Sequence, residues 1–438
     1  MIALLFGVLA LLALAGVGFP LGFSLLAVGS IGFALNHPRG LDAAATVAGQ
    51  QILELAANFQ FAVLPLFILM GVFVARSGVA ERMFNAASIW LGQLRGGLAL
   101  STVVACGGLA AVSGSSMATA ATMTQVAIPS MRRHHYDPAF SAGTVAAGGT
   151  IGILIPPSGA LIVYGLLSET DIARLFVAGL VPGVISICFY VLAVQVVCLL
   201  RPDWAPPTKS TDWTTKLSSL KDILPIVALF TLIMGGIFAG AFTASEGGGI
   251  GALGALLIAV LSRRMDFQLF KESLAEAARL TATVFSVGFG ALTFNQFVNV
   301  AGAPQEILAF IEQLSIGPWG VVCVILICFV ILGTVVDGPA MIFLTVPIFV
   351  PVIDGLALPI APDLKLVWWG IITVVAVEIS FITPPIGMNV FVIQSMLPDV
   401  SLREIYRGVL AFFIADLLRL ALFVSSPWLV LSLVNWMG

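Results

Sequence analysis

Residues 148–159 read GGTIGILIPPSG and residues 378–389 read EISFITPPIGMN. Each string lies inside an apolar run, 139–167 and 367–397, and a bilayer core of about 30 Å takes roughly 20 such residues per helical crossing. A proline lacks the backbone N–H and clashes with the preceding turn. The pairs Pro156-Pro157 and Pro384-Pro385 therefore predict two helices unwound near mid-span, with carbonyls freed around Leu154 and Ile382. Irregular backbone at membrane depth survives only where protein or a water-filled cavity receives its polar groups. The two breaks thus mark a site.

Working outward, a long apolar segment precedes each break, 97–131 and 319–352. Each has a polar or helix-breaking centre, AVSGSSMAT at 111–119 and GTVVDGP at 333–339, and a proline beyond it, Pro129 or Pro347. Charge placement orients them. With 204–221 and 263–279 on one side of the membrane, fifteen Lys and Arg fall on that side; Arg39, Arg174 and Lys365 fall on the other, and Arg419 lies within the last apolar run. This bias places the basic side in the cytoplasm. On that path both segments enter and leave on one face, as re-entrant hairpins, the first from the cytoplasm and the second from outside. Gly78 and Gly302, and Pro156 and Pro384, then mark corresponding points of two inverted repeats.

The predicted fold class is an all-α polytopic membrane protein with inverted structural repeats, each holding a re-entrant helical hairpin and a discontinuous helix. Its regions are N-terminal scaffold helices at 1–60, a first repeat at 61–167 and central scaffold helices with cytoplasmic links at 168–280. A second repeat follows at 281–397, then a C-terminal helix at 398–438. The first repeat has its hairpin at 97–131 and broken helix at 139–167; the second has them at 319–352 and 367–397. The run 2–35, interrupted at Gly18-Phe19-Pro20, fits either one kinked crossing or two short ones.

Composition supports a lipid-embedded chain. Of 438 residues, 60% are hydrophobic and 9% charged, with a mean hydropathy of +1.11, against roughly 45–50% apolar and 25% charged in soluble domains. A net charge of -3 offers nothing to a nucleic acid. The five cysteines lie in apolar runs without a C-x-x-C pair and read as small core residues. Absence of a basic leader before the long N-terminal apolar run makes that run retained structure rather than a signal peptide. Enzyme signatures are missing too. GSSMA at 114–118 falls short of G-x-S-x-G, no P-loop is present, and His37, His134 and His135 read as surface residues.

The strings SGSSMATAATM, MRRHHYDPAF, GGTIGILIPPSGALIVYG, GTVVDGPAMIFLTVPIFVPV and VEISFITPPIGMNVFV, in that order, resemble the large (M, DctM-type) membrane subunit of the tripartite ATP-independent periplasmic (TRAP) transporters. The resemblance covers nearly the whole chain. It implies sodium-driven uptake of a small organic acid, a carboxylate or sugar acid, across the bacterial inner membrane by an elevator-like movement of the hairpin domain. The partners it implies are a periplasmic substrate-binding protein, a small TRAP membrane subunit and the lipid bilayer, with Na⁺ as coupling ion and no other cofactor.

Sodium is a hard cation, and hydroxyls with half-helix carbonyls suit it. The expected sites are Ser113, Ser115 and Ser116 with the break after Gly149, and, pseudo-symmetrically, Gly333 and Asp337 with Thr383. Substrate is expected between them near Thr119, Thr150 and Asn389, its carboxylate attracted by half-helix N-termini. Structural readings stand beside these. Small hydroxyl residues let membrane helices pack closely, and Asp337 fits a cap on the half-helix after it. Glu378 and Asp416 are expected to pair with Arg419 rather than carry protons, the last two at (i, i+3) spacing. Two alternatives remain: a self-sufficient sodium or proton/carboxylate symporter, and a membrane subunit of a proton-translocating complex. The latter would want a path of intramembrane acids that the sequence does not supply.

Overall fold

The computed structural model describes residues 2–208, 211–302, 306, 316–333, 336 and 338–437. Among them the chain is helical with no strand, and seven helices are long and apolar enough to cross a membrane. Two helix pairs make a scaffold. Leu21–Asn36 lies along Phe267–Val300, and Val63–Arg76 lies along Ala244–Leu261. Both pairs close on glycine. A Cβ on Gly29 would sit 2.6 Å from the Phe294 backbone, and one on Gly251 2.5 Å from Met70 Sδ. The glycine cluster at 247–251 is therefore a helix-packing surface, as its apolar setting predicts.

The second body is built from hairpins and broken helices. Gly97–Ser113 turns into Ser116–Arg133 through Gly114, whose φ of +60° suits a residue without Cβ. Pro318–Gly333 and Gly338–Gly355 form the second hairpin. Pro138–Thr150 continues as a short 3₁₀ turn, unwinds over 154–158 and resumes as Gly159–Leu167. Pro362–Ser380 unwinds likewise and resumes at Met388–Met396. Both predicted breaks are present. Hairpins and broken helices also pack crosswise: the second limb of the first hairpin packs on Met388–Met396, and that of the second hairpin on Gly159–Leu167. Ile172–Leu200 and Leu402–Ser425 hold the body together. The latter crosses Pro138–Thr150 where Gly143 faces Gly408, and only glycine lets the backbones meet there.

Several helices differ from the sequence reading. The N-terminal run is two helices, Ile2–Gly16 and Leu21–Asn36, parted at 17–20. Gly40–Ala57 is a helix that hydropathy misses because Asp42, Thr46, Gln50, Gln51 and Glu54 dilute it; its Ala43, Ala44 and Leu55 are buried. Phe267–Val300 runs unbroken for 34 residues, joining the expected cytoplasmic link to the expected span. The last run breaks at Ser426-Pro427. Of the cysteines only Cys106 and Cys198 are core residues, whereas Cys188 and Cys323 are exposed and Cys328 half-buried. A lipid-facing surface is as apolar as a core, so an apolar run does not tell the two apart.

Candidate functional site

The first tip and first break meet at an oxygen-rich junction. Ser113 Oγ lies 2.8 Å from Thr119 Oγ1. Ser115 starts the second limb, its hydroxyl accepting from the Ala118 N–H at 3.4 Å. Ser116 is buried, and its Oγ accepts from Asn389 Nδ2 at 2.8 Å; the same amide donates to the Ala146 carbonyl at 3.0 Å. One side chain from the second broken helix thus joins the first hairpin to the first broken helix. Glycines permit the approach. A Cβ on Gly149 would stand 2.7 Å from Ala120 Cβ and 3.1 Å from Asn389 Nδ2, and one on Gly152 2.9 Å from the Ser115 carbonyl oxygen.

A cavity of about 280 Å³ borders this junction. Its walls come from the scaffold (Gly71, Val72, Thr283, Glu276), from residues 113–118 of the first tip, from Pro157 and Gly159 of the first break, and from Gly338 and Phe381 of the second repeat. Gly71 touches the tip directly, since a Cβ there would lie 2.6 Å from the Ser113 carbonyl oxygen. Scaffold, both hairpins and both breaks therefore share one space.

This arrangement has known counterparts. The profile of the family described as "Tripartite ATP-independent periplasmic transporter, DctM component" matches residues 7–429. The chain belongs to this family. It is 34% identical over 390 residues to the C4-dicarboxylate TRAP transporter large permease of Pseudomonas aeruginosa, covering 89% of each chain. It is 32% identical to the sialic acid TRAP transporter large permease of Vibrio cholerae, covering 99% of this chain and 98% of that one. The solved structure of the Alcanivorax borkumensis YdaH transporter shares the fold, with a TM-score of 0.59 at 14% identity over 90% of this chain and 89% of that one. The protein is thus a TRAP large permease, a multi-pass protein of the inner membrane, and its relatives are transporter permeases rather than enzymes.

The TRAP permease does not bring all the expected residues together. Ser113, Ser115, Ser116, Thr119, Gly149 and Asn389 converge. Thr150 turns the other way, its hydroxyl 2.8 Å from the Ala147 carbonyl and 2.9 Å from the Tyr190 hydroxyl. In the second repeat Gly333 abuts Ser380 and Met341. Thr383, in the break, donates to the Ile379 carbonyl in the last turn of the helix before it at 2.6 Å. Asp337 lies outside the described residues. Pro156-Pro157 and Pro384-Pro385 sit in the breaks, each pair joined by a cis peptide bond. Sequence reasoning missed Gly71, Gly152, Ser380 and Tyr190. Their contacts are long-range; Ser380 and Tyr190, polar residues in apolar runs, left the only local signal. His134 and His135 are exposed, as expected.

Proposed function

We propose that this TRAP large permease couples uptake of a small carboxylate or sugar acid to sodium, receiving substrate from a periplasmic binding protein beside a small membrane subunit. The observation that carries the reading is the junction of Ser113, Ser116, Thr119 and Asn389 against Gly149 and Gly152, which supplies neutral oxygens at a helix break. Neutral oxygens with helix-end carbonyls are the donor set a sodium ion takes. Gly333 beside Ser380 would begin the related site of the second repeat. The C4-dicarboxylate and sialic acid relatives support an organic-acid substrate.

The two-body architecture supports an elevator movement in which the hairpin body, at 61–167 and 281–397 less the scaffold helices, slides along the scaffold past Gly71. The cavity between the tip and the scaffold, lined from Leu64 to Ala75 along Val63–Arg76, gives such a movement a surface to run along. Thermal unfolding of the purified permease in Na⁺ against matched K⁺ tests the ion. A ligand specific for the folded state stabilises it by RT ln(1 + [L]/Kd), about 2.7 kcal/mol at a hundredfold excess over Kd. The expected result is a saturable rise in Tm specific to Na⁺ that Ser113→Ala or Ser116→Ala diminishes. Equal unfolding in both salts would overturn the sodium reading.

A further inference from the structure

A side-chain cluster that the sodium reading does not use joins the two broken helices. Glu378, Asp416 and Arg419 are fully buried. Arg419 Nη2 lies 2.8 Å from Glu378 Oε2 and 3.0 Å from Asp416 Oδ1. Asp416 Oδ2 accepts from the Tyr190 hydroxyl at 2.9 Å, and that hydroxyl lies 2.9 Å from Thr150 Oγ1. Thr150 is the last residue of the helix before the first break, and Glu378 stands two residues before the end of the helix preceding the second. The chain of contacts therefore spans both breaks.

Its charges do not balance. Two carboxylates face one guanidinium, and a net buried charge is costly where no water can relax around it. Among the described residues, two other titratable groups on neighbouring elements are engaged elsewhere. Tyr164, on Gly159–Leu167, donates to the Leu366 carbonyl, and Lys365 donates to the carbonyls of Asp354 and Leu356 at the far end of Pro362–Ser380. The two acids are not equivalent. Asp416 has the Tyr190 hydroxyl or Arg419 within 3.0 Å of each oxygen. Glu378 Oε1 and Asp416 Oδ1 are both buried without a hydrogen bond, but Asp416 has a second donor in the Tyr190 hydroxyl, whereas Glu378 accepts from Arg419 alone, at Oε2.

We propose that Glu378 holds a proton on Oε1 at neutral pH, which makes the cluster a net-neutral proton site tying the two breaks together. Asp416 remains the carboxylate that balances Arg419. A neutral tie moves with the hairpin body without carrying charge through lipid. The inference does not depend on the coupling ion.

Infrared spectroscopy of the full-length protein tests it, with the wild type grown on carboxyl-¹³C glutamate or on carboxyl-¹³C aspartate. Among the described residues Glu378 is the one buried glutamate. The expected result is a protonated-carboxyl band at neutral pH that shifts with labelled glutamate, is unmoved by labelled aspartate, and is lost in Glu378→Gln. Absence of such a band, a band that follows the aspartate label, or one that persists in Glu378→Gln would each overturn the proposal. Should Glu378→Gln fail to fold, the two labelled wild-type samples decide alone.

Discussion

At the first break every residue from 151 to 158 is buried, and Ser158 closes the gap itself, its hydroxyl accepting from the Leu161 N–H and donating to the Ile153 carbonyl. At the second break Pro384 and Pro385 are exposed, and closure comes from another helix, where the Tyr406 hydroxyl donates toward the carbonyls of Ile386 at 2.7 Å and Pro385 at 3.1 Å. Helix and tip also trade roles. At the first, a glycine of the broken helix, Gly152, meets the serine tip at Ser115; at the second, Ser380, which is 228 residues on, meets Gly333 of the other hairpin. One string serves both repeats, but the first break is part of the body's core and the second is held from outside. A duplicated motif fixes where a helix opens, and its neighbours fix how tightly.

Gly149→Val is the strongest way to break this comparison. The corresponding residue 228 positions on is Val377, which is buried, so the second broken helix carries the side chain that the first cannot. In the first, even a Cβ at Gly149 would stand 2.7 Å from Ala120 Cβ. A loss of about 3 kcal/mol, the upper end of overpacking costs, is expected in denaturant or thermal unfolding, with transport in proteoliposomes abolished. Wild-type transport by this variant would show that the first junction is loose.

Asn389→Ala comes next. It removes the amide that joins Ser116 to the Ala146 carbonyl, leaving a buried acceptor unpaired at a cost of about 1–3 kcal/mol. The Na⁺-specific rise in Tm should shrink along with Tm itself. If Tm falls while the Na⁺ response is intact, Asn389 braces the junction without taking part in ion binding.

Tyr406→Phe should do less. The hydroxyl it removes is partly exposed, so water replaces the lost donor and about 0.5–1 kcal/mol is the expected destabilisation. Ser158→Ala, made at the buried break, should cost more than Tyr406→Phe. Equal effects of the two in thermal unfolding would remove the distinction drawn between self-closed and neighbour-closed breaks.

How much of this was legible follows from the range of each interaction. Paired prolines act within one turn of their own helix, so both breaks were legible in the sequence. Ser113, Ser116, Thr119, Gly149 and Asn389 were legible as small or polar residues near those breaks. Thr150 looked the same by composition, yet its hydroxyl points to Tyr190, because which side of a helix faces the tip is set by packing across repeats. Gly71 and Gly152 matter through backbone approaches that no local pattern encodes. Gly40–Ala57 was missed because a helix lying against protein needs only a narrow apolar stripe.

The smallest effect belongs to Asp399→Asn. Arg132, at the end of the first hairpin, holds Asp399, just beyond the second broken helix, through bonds of 3.0 and 2.8 Å to its two oxygens. The guanidinium keeps the Asp399 carboxyl below its ordinary pKa. A carboxyl depressed in the folded state contributes stability that is present above its unfolded pKa, about 3.9, and is lost as pH falls through the folded value. Both side chains are exposed and screened by solvent, so the contribution at neutral pH is small. Thermal unfolding of Asp399→Asn should match wild type at neutral pH in high salt, with a slightly shallower loss of Tm on acidification and unchanged transport. If Asp399→Asn instead stops transport as fully as Gly149→Val, the exposed feet of the repeats, rather than their buried breaks, hold the two halves in register.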